Sequence, residues 1–267
     1  MKKILIRVSV FSLAFFLCIG VYAGGSFTNL KRAELEIHVG TAIPLGPFSQ
    51  KGFSSYFYDA KKAEGTLLYN GAKVGVNYGL SLAFYISDYW GVMLLFNGHS
   101  NGLNTNDFSG TDPNSRLGRL NWTTIEVDKW SEFTALAGVT FRYPIIDRLL
   151  ITSKLGIGYA HLLAPFYKSQ AQDKNITYVH EFSPNSEPNF GFGFGVGLKW
   201  LVSRSFHLDL RCEYMGALPF KFENAKSAIH LESPLTEDKV PYGEPSKYAF
   251  TENFHSINVS LGFSIAF

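Results

Sequence analysis

Ten charged residues recur at positions that bring them to one enclosed place. Glu34, Glu36, Glu132, Asp209 and Glu213 carry one sign, and Lys73, Arg142, Lys154, Lys199 and Arg211 carry the other. Around most of them, residues two apart are small or polar, while the residues between are apolar. In an extended chain, alternate residues share a face, so the charges gather on one side. An unpaired buried charge is costly, and five acids against five bases imply ion pairing. One pairing follows from register. If residues 203–205 form a turn centred on Arg204, Lys199 lies opposite Asp209, Gly197 opposite Arg211 and Gly195 opposite Glu213. The glycines then leave room for long side chains, and they also permit curvature. His38 and His207 fall on the same face, but with no accompanying ligand spacing they predict neither a metal site nor a cofactor.

The elements that must position these residues are strands. In residues 73–86, Val74, Val76, Tyr78, Leu80, Leu82, Phe84 and Ile86 alternate with Lys73, Gly75, Asn77, Gly79, Ser81 and Ala83. Residues 256–267 repeat the pattern, with Phe263, Ile265 and Phe267 on the apolar face. A helix would scatter both sets around its circumference. Six further segments alternate likewise, at 33–44, 90–97, 130–143, 149–163, 190–201 and 206–218. The predicted fold is all-β, with eight antiparallel strands.

Connection lengths alternate strictly. Short turns are predicted at 87–88, 144–148 and 203–205, and long loops at 46–71, 100–129, 164–189 and 219–253. Together with continuous, aromatic-rich apolar faces, this is the layout of an up-and-down transmembrane barrel, not of a soluble sandwich. Inside lipid every backbone group must be paired, so the sheet must close. An even strand count puts both ends of the barrel on the short-turn side, where Tyr89, Trp90, Tyr143, Trp200 and Phe206 suit an aromatic girdle.

Residues 1–23 read as a cleaved secretory signal. Lys2, Lys3 and Arg7 precede an apolar stretch that ends in Val21-Tyr22-Ala23. The barrel domain then spans 24–267. Without the signal, 21 basic face 22 acidic residues, so no charge excess suggests a nucleic-acid partner. Cys212 is the one cysteine left, which excludes an internal disulfide.

The sequence resembles the small eight-stranded outer-membrane barrels of Gram-negative bacteria, including OmpX-like and OmpA-barrel-like porin-family proteins. The residues that carry the likeness are the eight alternating strands, the Gly-Phe-Gly-Phe-Gly-Val-Gly-Leu-Lys-Trp segment at 191–200, and the ending Leu261-Gly-Phe-Ser-Ile-Ala-Phe267. The resemblance implies an outer-membrane location, surrounding outer-membrane lipid, and Phe263, Ile265 and Phe267 as a signal to the barrel-assembly machinery. It implies little about activity, because function lies in sites grafted onto folds. Lipid A 3-O-deacylases share the architecture and use a His-x-Ser-Asn motif. Here His99-Ser100-Asn101 places histidine and serine next to each other, so alternation sends them to opposite faces unless a bulge intervenes. No catalytic residue is assigned, and this stretch is expected to begin a loop.

An eight-stranded barrel is just wide enough for side chains to fill. The balanced inward charges therefore predict a plugged, ion-paired lumen and a structural or interaction role. The alternative is a narrow channel or carrier for small or hydrophobic solutes. The long loops would supply any contact with an extracellular ligand. Their aromatics, expected to be exposed, are Tyr56, Phe57, Tyr58, Phe166, Tyr167, Tyr178, Tyr242, Tyr248 and Phe250.

Overall fold

A computed structural model describes residues 31–49, 71–103, 122–173, 176–183, 185–233, 236–241 and 246–267. The expected signal segment, Tyr56–Tyr58 and Tyr242 lie outside the described residues, as do the side chains of Tyr248 and Phe250.

Fourteen strands form two bodies of sheet among the described residues. Eight of them close a barrel: β1 (Ala33–Pro44), β2 (Gly75–Tyr85), β3 (Trp90–Asn101), β5 (Trp130–Ile146), β6 (Leu149–Leu163), β9 (Ser186–Leu201), β10 (Phe206–Ala217) and β14 (His255–Ala266). Each barrel strand pairs antiparallel with the barrel strands before and after it in the chain. β14 pairs β1 to close the wall, with Leu35 opposite Ile265 and Ile37 opposite Phe263. The chain is thus an eight-stranded up-and-down barrel of the outer-membrane type. Its burial is inverted relative to a soluble protein: Ile37 is 60% exposed and Phe194 57%, whereas Glu36 and Asn77 are 1% and 0%. Apolar side chains facing outward all round a closed wall are what lipid requires. The girdle residues Tyr89, Trp90, Tyr143 and Phe206 are exposed beside the short turns, and the rings of Tyr89 and Tyr143 stack 5.9 Å apart.

Several strands overrun the alternation. β3 continues through Asn97, Gly98, His99, Ser100 and Asn101, so this stretch is not the start of a loop. Its polar residues look loop-like, yet Asn97, His99 and Asn101 keep the inward parity of Met93 and Leu95 and are buried. β2, in contrast, begins only at Gly75. Lys73 precedes it, is exposed, and donates its backbone N–H to the Gly102 carbonyl at 2.7 Å. The expected place of Lys73 in the lumen is therefore corrected: the alternation continues past the point where the strand ends.

The connections expected as long loops contain the second body. β4 (Trp122–Val127), β7 (Tyr167–Asp173), β8 (Ile176–Ser183), β11 (Phe220–Ser233), β12 (Thr236–Pro241) and β13 (Ser246–Glu252) form a six-stranded sheet on the loop side. β12, β11, β8, β7 and β4 run in that order, and β13 also pairs β11. A 3-10 turn at Gly46–Ser49 follows β1 and aims Phe48 into the barrel mouth, where it is 1% exposed. Tyr167 and Tyr178, expected on the surface, are 2% and 7% exposed. Tyr167 packs parallel to Phe182 with ring centres 5.4 Å apart in the main core, and Tyr178 packs in a smaller cluster with Ala171, so both are interior and not a contact surface.

Candidate functional site

The short-turn half of the lumen holds two layers of charge. The register of β9 and β10 sets Asp209 opposite Lys199 in the lower layer, and above it Arg211 opposite Gly197 and Glu213 opposite Gly195. Lys199 Nζ lies 3.3 Å from Asp209 Oδ1 and also bonds Glu34 across the barrel. His207 Nδ1 approaches Glu34 at 3.6 Å, and the Ser264 hydroxyl donates to Asp209 at 2.9 Å. In the layer above, Glu36 accepts from Lys154 at 3.0 Å and pairs with Arg211, which also faces Glu213 at 3.4 Å. Lys154 donates further to Ser81 Oγ at 3.1 Å. A Cβ on Gly195 would fall 2.5 Å from Glu213 Cγ, so glycine is required there for room.

Arg142 departs from the expected role. It is buried, but it forms no salt bridge among the described residues. It donates to the carbonyls of Asp88 and Lys31, each at 3.0 Å, and lies 3.6 Å above the Tyr85 ring. The fork of donors on a guanidinium can reach carbonyls while its face lies against an aromatic ring. It thus ties the β2–β3 turn to the chain ahead of β1.

With Lys73 outside, the lumen has five acids but four lysines and arginines. The remaining acid, Glu132, sits directly opposite His99 in the β3–β5 register and bonds its Nδ1. The Ser256 hydroxyl donates to Asn258 Oδ1 at 3.2 Å, which leaves Asn258 Nδ2 to donate to His99 Nε2 at 2.8 Å. The ring proton then sits on Nδ1 and points at Glu132. His38, also inward, meets Asn97 Oδ1 at 2.6 Å, and Asn77 donates to Ser260 at 3.1 Å. A polar column therefore climbs one wall of the barrel. Glu132 and Asn77 fall on the inward face by alternation, but His99 and Asn101 are hidden because residues 98–102 look like a turn by composition. The parity of β3 is the signal that could have found them.

Above His99 the lumen becomes apolar. Its ring lies 5.3 Å from Phe254, which packs against Phe48 at 5.1 Å, and Phe48 packs against Trp130 at 5.6 Å. Trp130 meets Phe222 of the loop-side sheet at 6.3 Å. Met93 and Leu95 of β3, Leu136 of β5 and Met215 of β10 belong to the same apolar core. A Cβ on Gly193 would sit 2.6 Å from Met215 Sδ, so the wall is thinned there to admit the core.

The chemistry available to this arrangement is limited by access. His99 has the carboxylate partner of a general base, but both ring nitrogens are engaged and the ring is 1% exposed. Ser100 follows His99 without a bulge, its backbone opposite Ser131, and is half-buried where His99 is fully buried. No cluster of three or more potential metal ligands exists among the described residues. Phe263, Ile265 and Phe267 line the outer face at the barrel seam, 39%, 39% and 64% exposed.

No family model matches the chain, and no curated protein matches it. Among solved structures, it is similar to the Neisserial surface protein A, at 10% identity and a TM-score of 0.43, over 88% of this chain and 97% of that one. It is also similar to the attachment invasion locus protein Ail of Yersinia pestis, in complex with the heparin analogue sucrose octasulfate. That likeness has 12% identity and a TM-score of 0.41, over 90% of this chain and all of that one. The outer membrane protein OprG of Pseudomonas aeruginosa gives 12% identity and a TM-score of 0.41, over 90% and 99% of the two chains.

Proposed function

We propose that this chain is a closed outer-membrane scaffold that carries a structured sheet on its loop side for contacts, and that it neither conducts solutes nor catalyses a reaction. The observation that supports this reading is the double filling of the lumen. Cross-barrel ion pairs occupy the short-turn half, and the core of Phe48, Trp130, Phe254 and Phe222 seals the loop half. A conducting barrel needs an axial path lined by groups that water can reach, yet Glu34, Glu36, Arg211 and Lys199 are each 3% exposed or less. The channel or carrier alternative would require both fillings to move. The deacylase-like alternative would require a nucleophile beside His99, and the half-buried Ser100 takes the opposite face.

Phe263, Ile265 and Phe267 remain the proposed mark for the barrel-assembly machinery, and any extracellular ligand would meet the loop-side sheet. Planar-bilayer recording of refolded protein tests the reading. Silence at neutral pH is the expected result, and discrete, reproducible unitary events would overturn it. Lipid A mass spectra from cells with and without the protein should be identical; loss of an acyl chain in one of them would restore the enzymatic alternative.

A further inference from the structure

The lipid-facing wall is not uniformly convex. Near the short turns, a groove of ≈ 500 Å³ crosses β1, β2, β3 and β5. Leu82, Phe84, Val92 and Leu94 form its sides, with Ala137 in its floor and Phe267 at its lower edge. The large side chains point outward and are exposed, from 41% for Leu82 to 64% for Phe267. The groove exists because Ala137 stands in a row of large residues: its cross-strand partners are Leu94 on β3 and Ile157 on β6. Its volume lies within the range of ligand sites, about 300–1,000 Å³, and its lining is almost wholly apolar.

The lower end of the groove is polar and basic. Arg32 directly precedes Ala33, a lining residue, and is pinned by a 3.2 Å hydrogen bond from Nη1 to the Ile86 carbonyl. Its backbone carbonyl accepts from Tyr85, so it sits beside the strand that carries Phe84. Lys31 is exposed next to it, and the nearest short turn, between β2 and β3, carries one exposed acid, Asp88. Trp90 lies two residues from Val92 on the same face and is 42% exposed, at the depth where indoles mark a membrane interface. An apolar groove that runs from a pinned guanidinium and an interfacial indole into the hydrocarbon region matches a two-part amphiphile.

We propose that this groove holds one phospholipid of the leaflet on the short-turn side, with an acyl chain over Ala137 and the headgroup phosphate at Arg32. Burial of methylenes in a fitted groove gives retention, and the guanidinium adds charge-assisted hydrogen bonds to phosphate. The site depends on membrane insertion alone and not on whether the lumen conducts.

Native mass spectrometry of the refolded full chain in detergent, titrated with dipalmitoyl phosphatidylglycerol, tests it. The expected result is saturation at one retained lipid. Filling the floor with Ala137→Phe should lower occupancy about tenfold or more at fixed lipid, and Arg32→Gln should lower it several-fold. Val196→Phe, on the outward face of β9 and outside the groove lining, should leave it unchanged. Folding is scored by heat-dependent gel mobility, and Ala137→Leu replaces Ala137→Phe if the latter does not fold. Adducts that rise without saturating, groove variants within about twofold of wild type, or an equal loss in Val196→Phe would each overturn the site. Unchanged binding by Arg32→Gln would overturn the headgroup assignment.

Discussion

The two halves of the lumen are closed by opposite physics. On the short-turn side, Lys154, Lys199 and Arg211 are held, all buried, against Glu34, Glu36, Asp209 and Glu213. On the loop side, Phe48, Trp130, Phe254, Phe220 and Phe222 meet with hardly a charge among them. Charge suits the lower half because strand register fixes both partners on a rigid wall, so each pair is aligned before it is desolvated. The upper half is shaped by connections that approach from several directions. Apolar packing tolerates such approach better than hydrogen-bond geometry does. An ion-paired layer is therefore fragile to the loss of one member, whereas an aromatic plug degrades in proportion to the side chain removed.

The largest effect is expected from Glu36→Ala. It leaves Lys154 and Arg211 buried beside one lost carboxylate, and breaking a buried pair by removing one partner costs ~3–5 kcal/mol. Urea unfolding of the refolded barrel should register that loss. A change below about 1 kcal/mol would mean that water already compensates these charges. The variant should nonetheless stay silent in a planar bilayer, because the plug is a separate closure.

Phe48→Ala is expected to cost somewhat less, about 3 kcal/mol, at the low end for truncating a buried aromatic. Phe48 sits on a turn that can settle into the space left behind. Hydrogen exchange should show the loss in β7, β8 and β11, with the barrel strands nearly unaffected. Combining Glu36→Ala with Phe48→Ala should produce conductance that neither produces alone. Conductance from either single variant would show that one closure depends on the other.

A smaller effect separates the regions by pH. Glu252, at the end of β13, is 1% exposed, and burial pushes its carboxyl up to about 8. Folding then takes up a proton between the ordinary carboxylate value of 4.5 and about 8, so the loop-side sheet loses stability as pH rises through that window. Hydrogen exchange in β11 and β13 should be several-fold faster at about pH 8.5 than at about pH 5.5, after correction for intrinsic rates. Glu252→Gln should flatten the difference.

The barrel was legible in the sequence because its alternation has period two and lipid enforces it at every outward position. β1 and β6 match the sequence segments end for end, and the turn at 203–205 alone set Lys199 against Asp209. The loop-side sheet was not legible. β7 buries Tyr167, Ser169 and Ala171 and turns Lys168 and Gln170 away, but two of the three buried residues are small, so the strand shows little apolar alternation in the sequence. His99 and Glu132 were half legible: Glu132 by parity, while His99 was obscured by its turn-like neighbours Gly98, Ser100, Asn101 and Gly102. The groove at Ala137 was not legible, since it depends on side-chain sizes across four strands.

The smallest expected effect tests where the barrel interior ends. Parity in the sequence assigns both Lys73 and Lys154 to the lumen, but losing the charge should affect the two sites differently. Lys154 donates to Glu36 and Ser81 and is 9% exposed. Lys73 is exposed, and its fixed contacts are backbone ones, to Gly102 and Asn101. Substitution to glutamine keeps the backbone N–H and carbonyl, so Lys73→Gln should fall within about ±0.5 kcal/mol, as for a surface change away from special features. Lys154→Gln strips the buried Glu36 of one cation and should be clearly destabilising in the same urea assay. Equal effects would mean that β2 continues inward past Gly75 and that the charge layers extend to the barrel mouth. Unequal effects would place the upper limit of the ionic region at the His99–Glu132 pair, where the apolar plug begins.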